Sequence, residues 1–280
     1  MAASLAWLTR PCVMGILNVT PDSFSDGGEH VDPARAVAAA RAMAAGGAAI
    51  VDVGGESTRP GAPAVDEAEE LARVAPVLRA LGADQPSGAA LPGCALSIDT
   101  RRAAVAEVAL DAGAVLVNDV SAGADPGMFP LVADRGVGIC LMHMQGDPAT
   151  MQDDPRYGDV VSEVAAFLEG RMRAAVDAGV AEDAIILDPG IGFGKTTDHN
   201  VALMRGLGTI VALGRPVLVG VSRKGVIGEI TGRGVDGRLA GSIGAALAAA
   251  EAGAAVLRVH DVPETVDALK AFTEMRGGHA

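Results

Sequence analysis

The stretch of this chain best equipped for chemistry is a carboxylate set between an apolar run and a glycine-rich loop. Residues 184–187 read Ala-Ile-Ile-Leu and lead into Asp188-Pro189-Gly190-Ile191-Gly192-Phe193-Gly194-Lys195. A β-branched apolar run that ends on Asp and then breaks into Pro and three Gly predicts a buried parallel strand delivering Asp188 to a loop that lies close against a ligand. Gly194-Lys195-Thr196 imitates the end of the phosphate-cradling pattern G-x-x-x-x-G-K-[ST], but Pro189 stands where the first Gly belongs. That argues against a nucleoside-triphosphate loop.

Other apolar runs end on polar residues in the same way: Asn18, Asp52 with Glu56, Asp99, Asn118, His143, Ser222 with Lys224, and Arg258 with His260. A single polar strand end is ordinarily a hydrogen-bonded structural residue. A set repeated in phase at every unit predicts convergence on one pocket. Arg258 and His260 fall on one face of a strand, which predicts an anion-holding pair. Lys224, after an apolar strand and before Gly225, is expected to point inward. His143 is expected to pack beside the pocket, and His199 to sit at a helix start.

The elements that must position these residues recur along the chain. Short apolar runs at 13–19, 49–53, 95–99, 115–119, 138–143, 184–188, 216–222 and 255–260 alternate with segments of helical period near 33–45, 66–81, 102–112, 127–135, 159–178, 200–213, 237–252 and 263–276. Eight strand-helix units in 280 residues predict a single (β/α)8 barrel domain over 1–280, with its core at about 11–276 and its site at the C-terminal ends of the strands. Gly steps after Ala45, Ala112, Ala178 and Ala252 mark helix ends. The loop at 82–93 enters a strand from the far side and is expected to be a tolerated surface connection. Two Gly-rich loops, 20–28 and 54–61, carry hydroxyls and charge and are expected to act as lids over the site.

Composition narrows the function classes. Half of the residues are hydrophobic, mostly small aliphatics, and aromatics are 2%. The net charge of −13 argues against nonspecific binding to nucleic acid or to an anionic membrane. Three cysteines without paired spacing, Cys12, Cys94 and Cys140, predict reduced, buried thiols. The N-terminus lacks the charged start of a secretory signal, and no apolar stretch reaches the length of a membrane span. A cytoplasmic protein is expected.

Five blocks carry a family resemblance: 14–28, from Met14-Gly15-Ile16-Leu17-Asn18 to Gly28; 52–61, including Glu56-Ser57-Thr58-Arg59-Pro60; 188–195; Ser222-Arg223-Lys224; and Arg258-Val259-His260-Asp261-Val262. In this order they resemble the signature blocks of the bacterial dihydropteroate synthase family, and the likeness runs from about Pro11 to beyond Val262. The resemblance implies a pterin-binding barrel that condenses (7,8-dihydropterin-6-yl)methyl diphosphate with 4-aminobenzoate, with Mg2+, by a dissociative displacement that releases diphosphate. It implies a homodimer and sensitivity to sulfonamides. It further implies that Asp188, Asp99, Asn118 and Lys224 hold the pterin with Met142 packed on its face, and that Asn18 sits at the metal-diphosphate end with Arg258 and His260. Thr58, Arg59, Pro60, Phe24, Phe193, Ser222 and Lys224 would shape the aminobenzoate site, Thr58 and Phe193 also meeting the pterin diphosphate. Lys224, Asp99 and Arg258 would carry the catalysis.

The residue types suit that chemistry. A pterin presents an amino group and a ring N–H side by side, a donor pair that one carboxylate accepts in bidentate fashion. A departing diphosphate needs cations, and a neutral arylamine needs no strong base. A pterin-dependent methyltransferase, a non-catalytic binding paralogue and a Schiff-base aldolase are the rival readings on the same barrel.

Overall fold

The apolar runs become eight parallel strands. The computed structural model describes residues 5, 8, 11–20, 32–57, 61–62, 64–83, 91 and 93–277. Its strands are β1 (Cys12–Asn18), β2 (Ile50–Gly54), β3 (Ala95–Asp99), β4 (Leu116–Asp119), β5 (Gly138–Met142), β6 (Ile185–Asp188), β7 (Leu218–Val219) and β8 (Val256–Val259). Hydrogen-bonded neighbours run β6-β5-β4-β3-β2-β1-β8-β7. A parallel bridge between Leu187 and Val217, where Leu187 N–H donates to the Pro216 carbonyl at 3.0 Å, joins β6 to β7 and closes the expected (β/α)8 barrel.

Ten α-helices are present among the described residues: α1 (Pro33–Ala45), α2 (Glu67–Ala83), α3 (Ala103–Asp111), α4 (Met128–Arg135), α5 (Val160–Asp177), α6 (Thr197–Arg205), α7 (Leu207–Val211), α8 (Gly225–Thr231), α9 (Leu239–Glu251) and α10 (Val262–Met275). The four Gly steps terminate helices as expected. Gly47, Gly113, Gly179 and Gly253 all have φ between 94° and 102°, a region that side-chain-bearing residues avoid.

Three local expectations need correction. The segment expected as one helix over 200–213 starts at Thr197 and divides at Gly206 into α6 and α7; a Cβ at Gly206 would lie 2.8 Å from a Val161 methyl, so α5 packs directly on the break. The helix α8 was not expected, because its sequence holds two Gly and four β-branched residues; it forms by burying Val226 and Ile227. Cys94 and Cys140 are buried but Cys12, at the lower rim of β1, is only half-buried; all three are free. Most of the loop at 82–93 lies outside the described residues.

Apolar packing occupies two zones. Between strands and helices, Val51, Val53, Ile98, Val117 and Leu187 meet Val74, Leu78, Leu110, Leu168 and Leu203. Inside the barrel at its lower end, Met14, Ile50, Leu116, Cys140, Ile186, Leu218 and Val256 pack together with Leu5 and Leu8. Because residues i and i+2 of a strand share a face, the next inward positions above this plug are Asp52, Asn118, Asp188 and Arg258.

Candidate active site

Those inward positions form a buried ionic cluster. Asp52 on β2 has no exposure, and Asp99 and Asn118 at the ends of β3 and β4 and Asp188 at the end of β6 are each buried. From β8, Arg258 Nε donates to Asp52 Oδ2 at 2.7 Å and Arg258 Nη2 donates to Asp99 Oδ2 at 2.6 Å. Asn118 Nδ2 donates to the same Asp52 oxygen at 2.9 Å. Asp52 therefore orients both an amide and a guanidinium. Strand register supports this, since Asp99 and Asn118 are direct neighbours across β3 and β4.

Burial of so much charge shows in proton affinities. Burial pushes the Asp99 carboxyl up to about 7, against the pull of Arg258 and with repulsion from Asp52 adding to it. Burial opposes the Arg258 charge, yet Asp52 and Asp99 together drive its pKa higher still. Removing one partner of such a cluster costs about 3–5 kcal/mol, because the others are left uncompensated.

Asp188 stands at the mouth of the glycine-rich loop. Its Oδ1 accepts from Gly190 N–H at 2.7 Å. Burial raises its pKa, while Lys224, Arg258 and Lys195 pull the other way. The glycines are required by close approach: a Cβ at Gly190 would lie 1.8 Å from the His143 carbonyl oxygen and one at Gly194 would lie 2.3 Å from that of Gln145, and both residues have positive φ. Lys224 Nζ donates to the Ile191 carbonyl and lies 4.5 Å above the Phe193 ring. Burial lowers the Lys224 ammonium to about 8, against the attraction of Asp188. Met142 packs with Phe193, Val120 and Met151 in a small cluster beside the loop.

The turn after β7 fixes Ser222 and Lys224. Between them Arg223 has φ 59°, a left-handed conformation that costs a non-glycine residue on the order of 1–3 kcal/mol. Three contacts hold it there. Its N–H donates to Ser242 Oγ at 2.9 Å, its carbonyl accepts from Arg238 Nη1 at 2.9 Å, and its Nε donates to Asp261 at 3.0 Å. The His260 backbone N–H donates to Ser222 Oγ at 3.2 Å, and the His260 ring Nδ1 lies 3.1 Å from the same hydroxyl.

A cavity of about 910 Å3 opens above these residues, lined among others by Asn18, Glu56, Asp99, Phe193, Ser222, Lys224, Arg258 and His260. Most sequence-predicted residues in the described chain thus reach one mouth. Asp188, Asn118 and Met142 stand buried behind its wall. Phe24, Thr58, Arg59 and Pro60 lie outside the described residues. His143, expected to pack beside the pocket, has its ring 4.9 Å from and edge-on to Phe167 of α5.

Two residues carry more than sequence reasoning gave them. Asp52 was noted only as a strand-end residue; its position two beyond Ile50, in phase with Asp188 two beyond Ile186, was the available signal. Glu56 accepts from Arg101 Nε at 3.2 Å, Arg102 Nη1 at 3.1 Å and Val65 N–H at 3.1 Å. It thereby ties residue 56, in the second Gly-rich loop, to residue 65, just before α2.

Comparison with known proteins identifies the family. Residues 14–260 match the family model described as pterin binding enzyme. A dihydropteroate synthase of Neisseria meningitidis serogroup C is 50% identical over 270 residues, covering 95% of this chain and 93% of the relative. Among solved structures, the Xanthomonas albilineans dihydropteroate synthase with 4-aminobenzoic acid superposes with a TM-score of 0.88 at 49% identity, covering 96% of this chain and 94% of that one. The same enzyme in complex with 7,8-dihydropteroate gives a TM-score of 0.85 at 46% identity, covering 96% and 95%. A fold, a ring of strand-end residues and a sequence that agree over nearly the full length leave one assignment: the chain belongs to the pterin-binding enzyme family, among its dihydropteroate synthases.

Proposed function

We propose that the protein is a dihydropteroate synthase, condensing (7,8-dihydropterin-6-yl)methyl diphosphate with 4-aminobenzoate to give 7,8-dihydropteroate and diphosphate. The observation that carries this reading is the buried set Asp99, Asn118 and Asp188 together with a cavity whose wall holds Asp99, Lys224, Arg258 and His260. Acceptors for the donor edge of a flat heterocycle and cations for an anionic leaving group thus meet in one place.

In the reaction the carbon–oxygen bond to diphosphate breaks ahead of bond formation, and the arylamine nitrogen then bonds to the methylene carbon. The bonding pair leaves with the diphosphate, and the nitrogen loses its proton to solvent water. Asp188 accepts the amino and ring N–H pair of the pterin, and Asn118 and Asp99 complete its edge. Met142 packs on its face. Lys224, bridging the ring and the aminobenzoate site, and Arg258, held in orientation by Asp52 and Asp99, stabilise charge as the bond opens. His260 and Thr58 bind at the diphosphate end. Phe193, Ser222, Phe24, Thr58, Arg59 and Pro60 form the aminobenzoate site. Because the amine is already neutral, orientation and electrostatics suffice and no covalent intermediate is needed.

The oxygen of Asn18, which lines the same cavity as Arg258 and His260, is a hard donor of the kind magnesium accepts when most of its remaining ligands are water and substrate phosphate. Asn18 would hold Mg2+ there, and the ion would neutralise charge on the diphosphate as it departs.

The test is direct. The purified protein with both substrates and Mg2+ should release pyrophosphate and stop when either the arylamine or the metal is withheld; a sulfonamide should compete with 4-aminobenzoate. Absence of arylamine-dependent pyrophosphate release would refute the reading. Two finer points belong with it. The protein acts in the cytoplasm, and two copies pair through the last helices, where Ile230, Val235 and Leu239 are exposed; a monomer by light scattering would refute the pairing.

A further inference from the structure

Lys195 takes no part in the reaction above, yet it is 2% exposed and its ammonium is fully engaged. Its Nζ lies 2.9 Å from His143 Nδ1, 2.9 Å from the Phe193 carbonyl and 3.4 Å from the His143 carbonyl. Burial lowers the Lys195 ammonium to about 7, against the attraction of Asp188, and three acceptors around the nitrogen leave nothing for a phosphate, so the lysine that imitates a nucleotide-binding loop has a different use. Burial, with Lys195 nearby, lowers the His143 ring to about 3. At neutral pH the ring is therefore uncharged and its Nδ1 can accept.

The contact belongs to a set of braces. Gln152 Nε2 donates to the Gly192 carbonyl at 2.7 Å, and Tyr157 Oη donates to the Gly194 carbonyl at 2.8 Å. Both come from the segment between β5 and α5. Lys195 supplies the matching tie for the carbonyl between them, that of Phe193, whose ring faces Lys224. A cation 4.5 Å from the ring centroid is sensitive to small ring displacements.

We propose that Lys195 is a positioning residue for the arylamine half of the site: its ammonium ties the Phe193 carbonyl to the end of β5 at His143 and so fixes the Phe193 ring beside Lys224. The assignment to the arylamine half rests on the proposed synthase reading. The tie itself does not, and the two are separable by experiment.

The chain has three lysines, Lys195, Lys224 and Lys270, so protein labelled with carbon-13 at lysine Cε gives a readily assigned spectrum. In the wild type, the ring current of Phe193 should displace the Lys224 ε-proton signal upfield of that of exposed Lys270. Lys195→Met, and separately His143→Asn, should remove half or more of that displacement. An unmoved Lys224 signal in either folded variant overturns the tie. In steady-state kinetics Lys195→Met should raise KM for 4-aminobenzoate about tenfold, with kcat and KM for the pterin diphosphate changed by less than about threefold. A uniform fall in kcat, or an unchanged arylamine KM, overturns the positioning role. Should the wild type fail to join the substrates, the synthase reading falls, and the spectrum still decides whether Lys195 sets Phe193.

Discussion

At the lower end of the barrel Ile50, Leu116, Ile186 and Val256 face inward and pack as an apolar plug; two residues further along the same four strands the inward positions hold Asp52, Asn118, Asp188 and Arg258. Backbone and register are shared, and the side chains differ. Each plug residue contributes about 1.5–3 kcal/mol by leaving water. Each group above it would cost several kcal/mol to bury alone and is held only by its partners. One end of the barrel is built for stability and the other uses that stability to hold charge close together, the division expected of barrel enzymes.

The largest blow to this comparison would come from Arg258→Met, which leaves Asp52 and Asp99 buried without their shared cation. It should cost about 3–5 kcal/mol in urea unfolding at pH 8 and abolish turnover. The loss should shrink at pH 5, because Asp99 can then take up a proton and neutralise itself. A variant as stable as the wild type would mean that the cluster is not held by ion pairing. Next in size, Ile186→Ala, one pleat below Asp188, should cost about 2–5 kcal/mol of stability while kcat/KM of the folded enzyme stays within about threefold. Loss of pterin affinity without loss of stability would erase the distinction between the two ends.

Much of this division was legible in the sequence. Ile-x-Asp at 50–52 and 186–188, Leu-x-Asn at 116–118 and Val-x-Arg at 256–258 state it directly, because strand periodicity places both members of each pair on one face. The Gly steps were equally readable, since only one backbone conformation suits them. Partner choice was not. Arg258 was expected at the anion-holding end beside His260; it lines the cavity with His260 and also engages Asp52 on β2 and Asp99 on β3, a contact set by the pairing of β8 with β1 rather than by neighbours in sequence. The inward turn of Lys195 was hidden for the same reason, and α8 because tertiary burial of Val226 and Ile227 overrides poor helix propensity.

Smaller effects sharpen the picture. His143 has its pKa lowered from 6.5 to about 3 by burial, so between those values the unfolded chain binds a proton that the folded one does not. Its contribution to stability is present above pH 6.5 and is lost as pH falls toward 3, on the order of a few kcal/mol at about 1.4 kcal/mol per unit. Urea unfolding across that range should show a shallower pH dependence for His143→Gln than for the wild type; identical slopes would contradict a neutral, buried ring. Smallest of all, Ser222→Ala removes one hydroxyl from the arylamine end and should raise KM for 4-aminobenzoate about three- to fivefold with kcat unchanged, as measured in steady-state assays.

The central claim is that the carboxylate one pleat above the plug on β6 reads the pterin. Calorimetric titration of the wild type and of Asp188→Asn with the pterin diphosphate tests it most directly. The substitution keeps the shape, so the variant should still fold while its affinity for the pterin falls at least about a hundredfold. Wild-type affinity in the folded variant would contradict the account.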